Sequence, residues 1–462
     1  MMRWIGCLLL SAAALAAADK PNFVVIFADD LGYGDIGVFG SQLHRTPRLD
    51  RMAAEGRRYT DFYVSANVCS PSRASLLTGS YPRRVGLHEN ESRGWVLFPG
   101  NRTGLSADEI TLPELLKTAG YKTAIIGKWH LGDQPEFLPT RHGFDSYFGI
   151  PYSNDMGHDS RPEPYRYPPL PLLRDEAVIE EEPDQRLITQ RYTDEALVYL
   201  EENKDDPFFL YLPHTMPHWP QYASEEFAGK SKNDAWGDAV EEIDYSVGRI
   251  LDRLRELDLE EKTLVLFFSD NGGALRFGAS NGPLRAGKGT TWEGGHRSAL
   301  IARWPGRVPA GTVNRELLTS MDLYPTFAAW AGVEPPSDRV LDGKDIRAFF
   351  TEDDPGPTPH LAYFYFFTRH LNAVRSGRWK LFLQRTGRSN RRYVNQPAEE
   401  LYDLHADVGE TKNVYREHPE VVLRLRRLAR HAQWDLGDGG VRGARVRAPG
   451  FVKDARTLTT NE

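Results

Sequence analysis

Asn22-Phe23-Val24-Val25-Ile26-Phe27-Ala28-Asp29-Asp30 runs from an uninterrupted apolar stretch straight into two adjacent acids. Such a run has no polar face, so it reads as a strand buried on both sides, the kind that parallel sheets contain. The two acids then stand at its carboxyl end, where open parallel sheets collect their ligands.

Working outward, the same pattern recurs three times. The apolar strand Thr123–Ile126 is followed by Lys128 and His130. The aromatic-rich strand Pro207–Leu212 is followed by His218, and Thr263–Ser269 by Asp270-Asn271. Helical patterns lie between the strands. Thr46–Glu55 stops at Gly56, and Thr111–Ala119 has Pro113 near its start and Gly120 at its end. Asn233–Leu257 is amphipathic, with Trp236, Val240, Ile243, Val247, Ile250, Leu254 and Leu257 recurring at steps of four and three. That stripe is core packing. Alternating strands and helices predict an α/β fold, a mainly parallel sheet sandwiched by helices.

Two proline-rich stretches interrupt the alternation. Pro151–Pro183 reads as a long surface excursion near the pocket. Thr351–His360 carries Pro355, Pro357 and Pro359. Beyond it, the aromatic run Leu361–Phe367, the strand Trp379–Gln384 and the basic helix Pro419–His431 predict a smaller C-terminal α+β domain, an antiparallel sheet plus a helix. The arginines Arg424, Arg426, Arg427 and Arg430 make a solvated helix face. The expected division is 1–18 signal peptide, 19–350 catalytic α/β domain, 351–435 C-terminal subdomain and 436–462 a Gly/Arg-rich tail, partly disordered.

The first residues carry one positive charge, Arg3, then an apolar stretch from Ile5 to Ala17 and small residues before Asp19. This is the pattern of a cleavable export signal rather than a membrane span. It implies an exported protein, periplasmic or extracellular, or on a lysosomal or secretory route in a eukaryote. With 462 residues the chain is long enough for a full core. Its net charge of −7 becomes −8 once Arg3 leaves with the signal. A mildly acidic chain is no general nucleic-acid binder, so any grip on an anionic substrate has to come from a local basic pocket. Asn90-Glu91-Ser92 and Asn101-Arg102-Thr103 are glycosylation sequons.

Four strand ends thus deliver acids, amides and bases to one edge of one sheet. Asp29, Asp30, Asp270 and Asn271 offer oxygen ligands only, a set suited to Ca²⁺ or Mg²⁺ rather than zinc. Each pair alone would equally well cap a turn. Between them in sequence lies Cys69-Ser70-Pro71-Ser72-Arg73. The only other cysteine is Cys7, inside the export signal. Pro71 suits a first helical turn and Ser70 a cap, which sets Cys69 at a helix N-terminus with Arg73 one turn along. Developing negative charge is favoured there.

The Cys69–Arg73 run, with Ala74-Ser75-Leu76-Leu77-Thr78-Gly79 behind it, resembles the signature of the type I sulfatases. The likeness is closest to the arylsulfatase A and N-acetylgalactosamine-6-sulfatase-like group. Gly120-Tyr121-Lys122-Thr123-Ala124-Ile125-Ile126-Gly127-Lys128-Trp129-His130-Leu131-Gly132 matches the second family signature, and Leu401-Tyr402-Asp403-Leu404 resembles the family's C-terminal part. The resemblance spans Asn22 to about Asn413. It implies an alkaline phosphatase-like fold, hydrolysis of sulfate monoesters, and oxidation of Cys69 to formylglycine (3-oxoalanine) by a formylglycine-generating or sulfatase-maturating enzyme. It further implies calcium, with Mg²⁺ second, held by Asp29, Asp30, Asp270, Asn271 and the modified Cys69. Arg73 and Lys128 would stabilise negative charge. His130 would handle protons of the hydrated aldehyde, and Lys288, in Gly287-Lys288-Gly289, would contact the sulfate. His218, in Pro217-His218-Trp219-Pro220, would protonate the leaving alcohol. Ser153 is a further candidate substrate contact; His214 is the weaker of the two histidines in its segment. The expected substrate is a sulfated small molecule or glycan. The rivals are a phosphate mono- or diester hydrolase of the same superfamily and a catalytically silent glycan-binding homologue. A thiol-based phosphatase is disfavoured, because Cys69 and Arg73 are separated by three residues where that mechanism uses five.

Overall fold

The structure is a computed structural model describing residues 20–158, 166–389 and 392–460. The predicted export signal, with Cys7, lies outside these residues. In chain order the strands are β1 (Asn22–Ala28), β2 (Arg57–Tyr63), β3 (Thr103–Gly104), β4 (Lys122–Ile126), β5 (Ser146–Gly149) and β6 (Pro171–Arg174). Then follow β7 (Ala177–Glu181), β8 (Phe208–Pro213), β9 (Thr263–Ser269), β10 (Arg297–Arg303), β11 (Thr312–Asn314) and β12 (Leu318–Thr319). All but β3 join one sheet in the order β11-β2-β10-β9-β1-β8-β4-β5-β6-β7, with β12 alongside β2. The middle of that order, β9-β1-β8-β4-β5, is parallel throughout. Antiparallel strands extend it on both sides.

β1 shows why its sequence has no polar face. Val24, Ile26 and Ala28 enter a core beneath the helices Ile188–Glu202 and Asp234–Glu256. Phe23, Val25 and Phe27 enter a second core beneath Cys69–Thr78, Leu112–Thr118 and Leu323–Ala331. Alternate side chains therefore serve opposite layers, and both layers are apolar. Each fully buried Phe or Ile contributes about 1.5–3 kcal/mol.

The Pro151–Pro183 stretch departs from expectation. Its second half is a hairpin, β6 and β7, that lengthens the sheet beyond β5. Leu170, Leu172 and Leu173 are buried there, so this part belongs to the core and is no surface excursion. The prolines mask the alternation because β6 begins at Pro171 on the edge-ward side of the sheet.

C-terminally, the strands Tyr363–Phe367, His370–Ser376, Trp379–Ser389 and Arg392–Asp403 form an antiparallel sheet packed on the helix Pro419–Leu436. The tail beyond is ordered, contrary to its composition. Gly450–Phe451 pairs with β3. Arg447 is bidentate on Glu109 at 2.6 and 3.0 Å, and the Arg102 guanidinium stacks over Phe451. Charge-assisted contacts to the layer of the large sheet hold this glycine-rich segment where its own hydrophobicity could not. Among the described residues no helix is long and apolar enough to cross a membrane.

Candidate active site

Because β9, β1, β8 and β4 are adjacent and parallel, Asp270, Asp29, His218 and Lys128 all emerge at one edge. The helix Cys69–Thr78 points its first turn into the same place. Val68, in extended conformation, is its N-cap, with no side-chain cap bond. The expected Ser70 cap does not form. Ser70 lies inside the first turn, and its Oγ accepts a bond from Leu97 N at 3.1 Å. The chain leaves the helix through Gly79 at φ 61°, where a Cβ would meet Tyr324 Cβ at 2.8 Å.

Gly127 explains the turn after β4. Its φ is 134°, and a Cβ there would lie 2.0 Å from Pro213 O. The close approach lets Lys128 N donate to Pro213 O at 2.8 Å. Trp129 Nε1 donates to Phe137 O at 2.8 Å, locking the turn.

Side chains from several elements converge there, all buried except the half-buried Lys288. Cys69 Sγ lies 3.4 Å from Asp29 Oδ1. Lys128 Nζ is 2.5 Å from Asp29 Oδ2 and 3.3 Å from Ser153 Oγ. Lys288 Nζ lies 2.6 Å from Asp30 Oδ2, and His218 Nε2 lies 3.6 Å from the same oxygen. Arg73 grips Asp270 Oδ2 through Nε at 3.1 Å and Nη2 at 2.8 Å, and its Nη1 donates to Lys128 O at 2.8 Å. Asp270 Oδ1 accepts from Asp30 N at 3.1 Å, and Asn271 Nδ2 donates to Asp30 Oδ1 at 2.8 Å. All the predicted positions except His214 thus fall in one connected cluster. His130 closes it from the cavity side. His214 is fully buried elsewhere, its Nε2 on Ser246 Oγ at 3.3 Å, and acts as a core residue.

Burial alone would raise the Asp29 and Asp30 carboxyls. Lys128 with His218 and Arg73 for Asp29, and Lys288 with His218 for Asp30, outweigh it and hold both below the ordinary value. Asp270 is raised, by burial and then by the neighbouring Asp29. Burial and Asp29 push the Cys69 thiol well up, so the unmodified cysteine is a neutral thiol and a poor nucleophile. Burial, then Lys128 and Arg73, push His130 well below the usual histidine value, leaving it neutral.

The donor set could hold a metal ion. One ligand atom from each of Asp29, Asp30, Cys69 and His218 lies within 4.8 Å of the others. Asn271 Oδ1 is buried and has no hydrogen-bond partner. An acceptor so placed beside three carboxylates is what an oxygen-ligated cation needs.

The cluster forms the floor of a cleft of about 1760 Å³. One wall comes from the segment after Val85, including Trp95 and Phe98. Another comes from Asp155 and Met156, and a third from Leu275, Arg276 and Phe277. Arg369 and His370, at a turn of the C-terminal sheet, complete the rim. No role was read for Asp155, Trp219, Phe277 and Arg369 in the sequence, because loop residues carry no periodicity. Asn90 is buried, its amide nitrogen donating to Val96 O at 2.9 Å and Asn101 Oδ1 at 3.1 Å. That sequon cannot carry a glycan in this fold.

The fold and the cluster together define a hydrolase of anionic esters, with cations at the carboxyl edge of a parallel sheet. Comparison with known proteins narrows this: residues 21–333 match the Sulfatase family, and residues 287–432 match N-sulphoglucosamine sulphohydrolase, C-terminal. N-acetylgalactosamine-6-sulfatase of Sus scrofa is 42% identical over 82% of this chain and 75% of its own length. Arylsulfatase A of Homo sapiens is 39% identical over 91% of this chain and 89% of its own. The solved PsFucS1 sulfatase from Pseudoalteromonas sp. superposes with a TM-score of 0.80 at 29% identity, covering 91% of each chain. The chain belongs to the sulfatase family, the sulfuric ester hydrolases.

Proposed function

We propose that this sulfatase hydrolyses sulfate monoesters of carbohydrates or aryl alcohols to the alcohol and inorganic sulfate, using Cys69 after its oxidation to formylglycine and a bound calcium ion. The observation that carries the reading is the orphaned Asn271 Oδ1, set among buried Asp29, Asp30 and Asp270 at the foot of a cleft that also holds Cys69. Asp29, Asp30, Asp270, Asn271 and residue 69 would hold the cation. Its charge would polarise the reacting oxygens. Formylglycine, once hydrated, supplies two hydroxyls on one carbon: one to attack sulfur, the other to expel sulfate and restore the aldehyde.

The remaining chemistry belongs to the chain's own side chains. Arg73, Lys128 and Lys288 balance the three carboxylates charge for charge, so an added divalent cation makes the site attractive to a sulfate ester. Burial opposes the Lys288 ammonium, but Asp30 beside it keeps the group charged. His130 Nε2 faces the Leu97 carbonyl at 3.0 Å, so it carries the hydrogen. Its Nδ1 is then a bare, buried acceptor, and since His130 and Cys69 both line the cleft it is the nitrogen left to take a proton from residue 69. His218 Nδ1 faces Trp219 O at 2.6 Å and Asn154 Oδ1 at 3.0 Å, both acceptors, so Nδ1–H is fixed there. Nε2 remains directed toward Asp30, where it can hold the proton that the departing alcohol needs, with Lys288 on the same carboxylate. The export signal and the maturation enzyme belong to the same proposal, since oxidation of Cys69 requires a dedicated catalyst.

The test is paired. Peptide mass spectrometry of active enzyme should show the aldehyde or its hydrate at position 69. Matched aryl sulfate and aryl phosphate should show faster release of sulfate. An unmodified thiol in fully active enzyme, or faster phosphate release, refutes the reading. Cys69→Ser should lose multiple turnover, because its sulfated form lacks the second hydroxyl.

A further inference from the structure

The proposed chemistry leaves one part of the cleft without a task. Trp219 follows His218 directly and yet remains 42% exposed. Its indole stacks on the Phe277 ring at 5.4 Å between centroids and 20° between planes. The Arg276 guanidinium lies 5.4 Å from the same Phe277 ring. An exposed indole supported from behind presents a flat apolar face to the cavity.

Asp155, two residues after Ser153, lines the same cavity. Its Oδ1 is buried and has no hydrogen-bond partner, although the residue lines the cavity. That oxygen is closed to solvent, so a ligand in the cleft would meet the carboxylate through Oδ2. The two residues are held together by their neighbour: Asn154 Nδ2 donates to Pro220 O at 3.0 Å, and Asn154 Oδ1 meets His218 Nδ1 at 3.0 Å. The segments 153–156 and 218–220 therefore form one locked unit, carrying the proton-handling His218, an aromatic face and a hydrogen-bond acceptor.

We infer that Trp219 and Asp155 form a sugar subsite, in which a pyranose ring lays its C–H face on the indole while its hydroxyls donate to the Asp155 carboxylate. This deepens the sulfatase reading, on which it rests, by assigning the substrate to sulfated carbohydrates rather than aryl sulfates. An arene stacks on tryptophan equally well but has no hydroxyl to offer, so Asp155 carries the discrimination. Sites built to bind a hydroxyl reject analogues that lack it far more strongly than apolar pockets reject a misfit. The cleft also exceeds the roughly 300–1,000 Å³ of ordinary small-ligand pockets, which leaves room for more than one ring.

The experiment compares Trp219→Ala and Asp155→Asn with the unaltered enzyme on N-acetylgalactosamine 6-sulfate and on 4-nitrophenyl sulfate. The ratio of kcat/KM, carbohydrate over aryl, should fall at least tenfold in each variant. An unchanged ratio, whether both rates fall or neither does, overturns the subsite. If the unaltered enzyme releases sulfate from neither ester, the sulfatase reading fails separately. The subsite is then decided by saturation-transfer NMR with unsulfated methyl β-galactoside. Transfer that is present in the unaltered protein and lost in Trp219→Ala supports it; equal transfer, or none in either, overturns it.

Discussion

Lys380 sits on the C-terminal sheet and reaches toward the layer of the large sheet, and its removal tests how the two are joined. Its Nζ lies 3.0 Å from Glu293 Oε1 and 2.8 Å from Glu410 Oε1, with all three side chains fully buried. The ammonium also lies 4.0 Å from the Tyr365 ring centroid and 5.0 Å from that of Phe382. At an effective dielectric of about 20, each contact is worth roughly 5–6 kcal/mol of Coulomb energy, of which desolvating the ammonium offsets a large part. Lys380→Met keeps the stem and removes the charge, leaving two carboxylates facing each other. Glu293 retains Arg297 and Arg375 at 3.5 and 3.9 Å, so the cluster is not stripped of positive charge. The expected loss is about 3–5 kcal/mol. It should be measured at pH 8, where Glu410, raised by burial to about 7 with Lys380 beside it, is ionised in the unaltered protein. Urea unfolding followed by tryptophan fluorescence gives the difference. Lys380→Met/Glu410→Gln removes the surplus negative charge and should recover at least about 1 kcal/mol of it. A loss below about 1 kcal/mol in the single variant, or no recovery in the double, refutes the account. Glu293 opens the short helix Glu293–His296 that follows the Lys288 turn, so the Lys380 cluster ties the C-terminal sheet to the segment that carries Lys288.

His214 is buried without a charged partner, which lowers it to about 4. A base with a depressed folded value stabilises above the unfolded 6.5 and destabilises below it, so acidification from pH 6.5 to 4 should cost about 3 kcal/mol that His214→Asn does not lose. Deleting residues 437–462 removes the Gly450–Gly104 pairing and the Arg447–Glu109 ion pair. KM should rise more than kcat falls, and trypsin should cut faster at Arg93 and Arg102; equal susceptibility would deny the tail a bracing role. Chelation with EGTA should abolish turnover and lower the melting temperature. Calcium at about 100 times its Kd should restore roughly 2.7 kcal/mol, and full activity in exhaustively chelated enzyme would refute the metal assignment.

The fold was legible wherever burial imposed a one-sided composition. β1, β4, β8 and β9 must be apolar because both faces are covered, and that requirement is visible in one sequence. The helix Asp234–Glu256 was equally plain, since one layer covers only one of its faces. The hairpin β6–β7 and the ordered tail were hidden for a common reason. Edge strands and surface straps are held by backbone pairing and ion pairs with distant residues, and neither leaves a local period. Within the site, residues following strands were legible from position alone. The cleft walls were not, because Asp155, Trp219 and Phe277 come together only when three loops fold over one another.

The two adjacent acids show what sequence position leaves undecided. Consecutive residues of a strand point to opposite faces, so Asp29-Asp30 read as a strand extension would send only one carboxylate into the site. The chain resolves this by placing Asp30 in the left-handed region at φ 68°, with its carbonyl accepting from Ala274 N at 3.3 Å. Asp29 then faces Cys69 and Lys128, while Asp30 faces Lys288 and His218. His130 repeats the device at φ 63°, pinned by its own N–H on Pro151 O at 3.0 Å. A residue with a Cβ adopts that conformation at a cost of about 1 kcal/mol or more, and it persists only where the surroundings enforce it. Both positions belong to the buried cluster at the foot of the cleft, and a glycine at either would relax the backbone while deleting the side chain that the turn aims. The strain is therefore tied to convergence: it brings side chains from one strand end onto one point, which regular strand geometry cannot do.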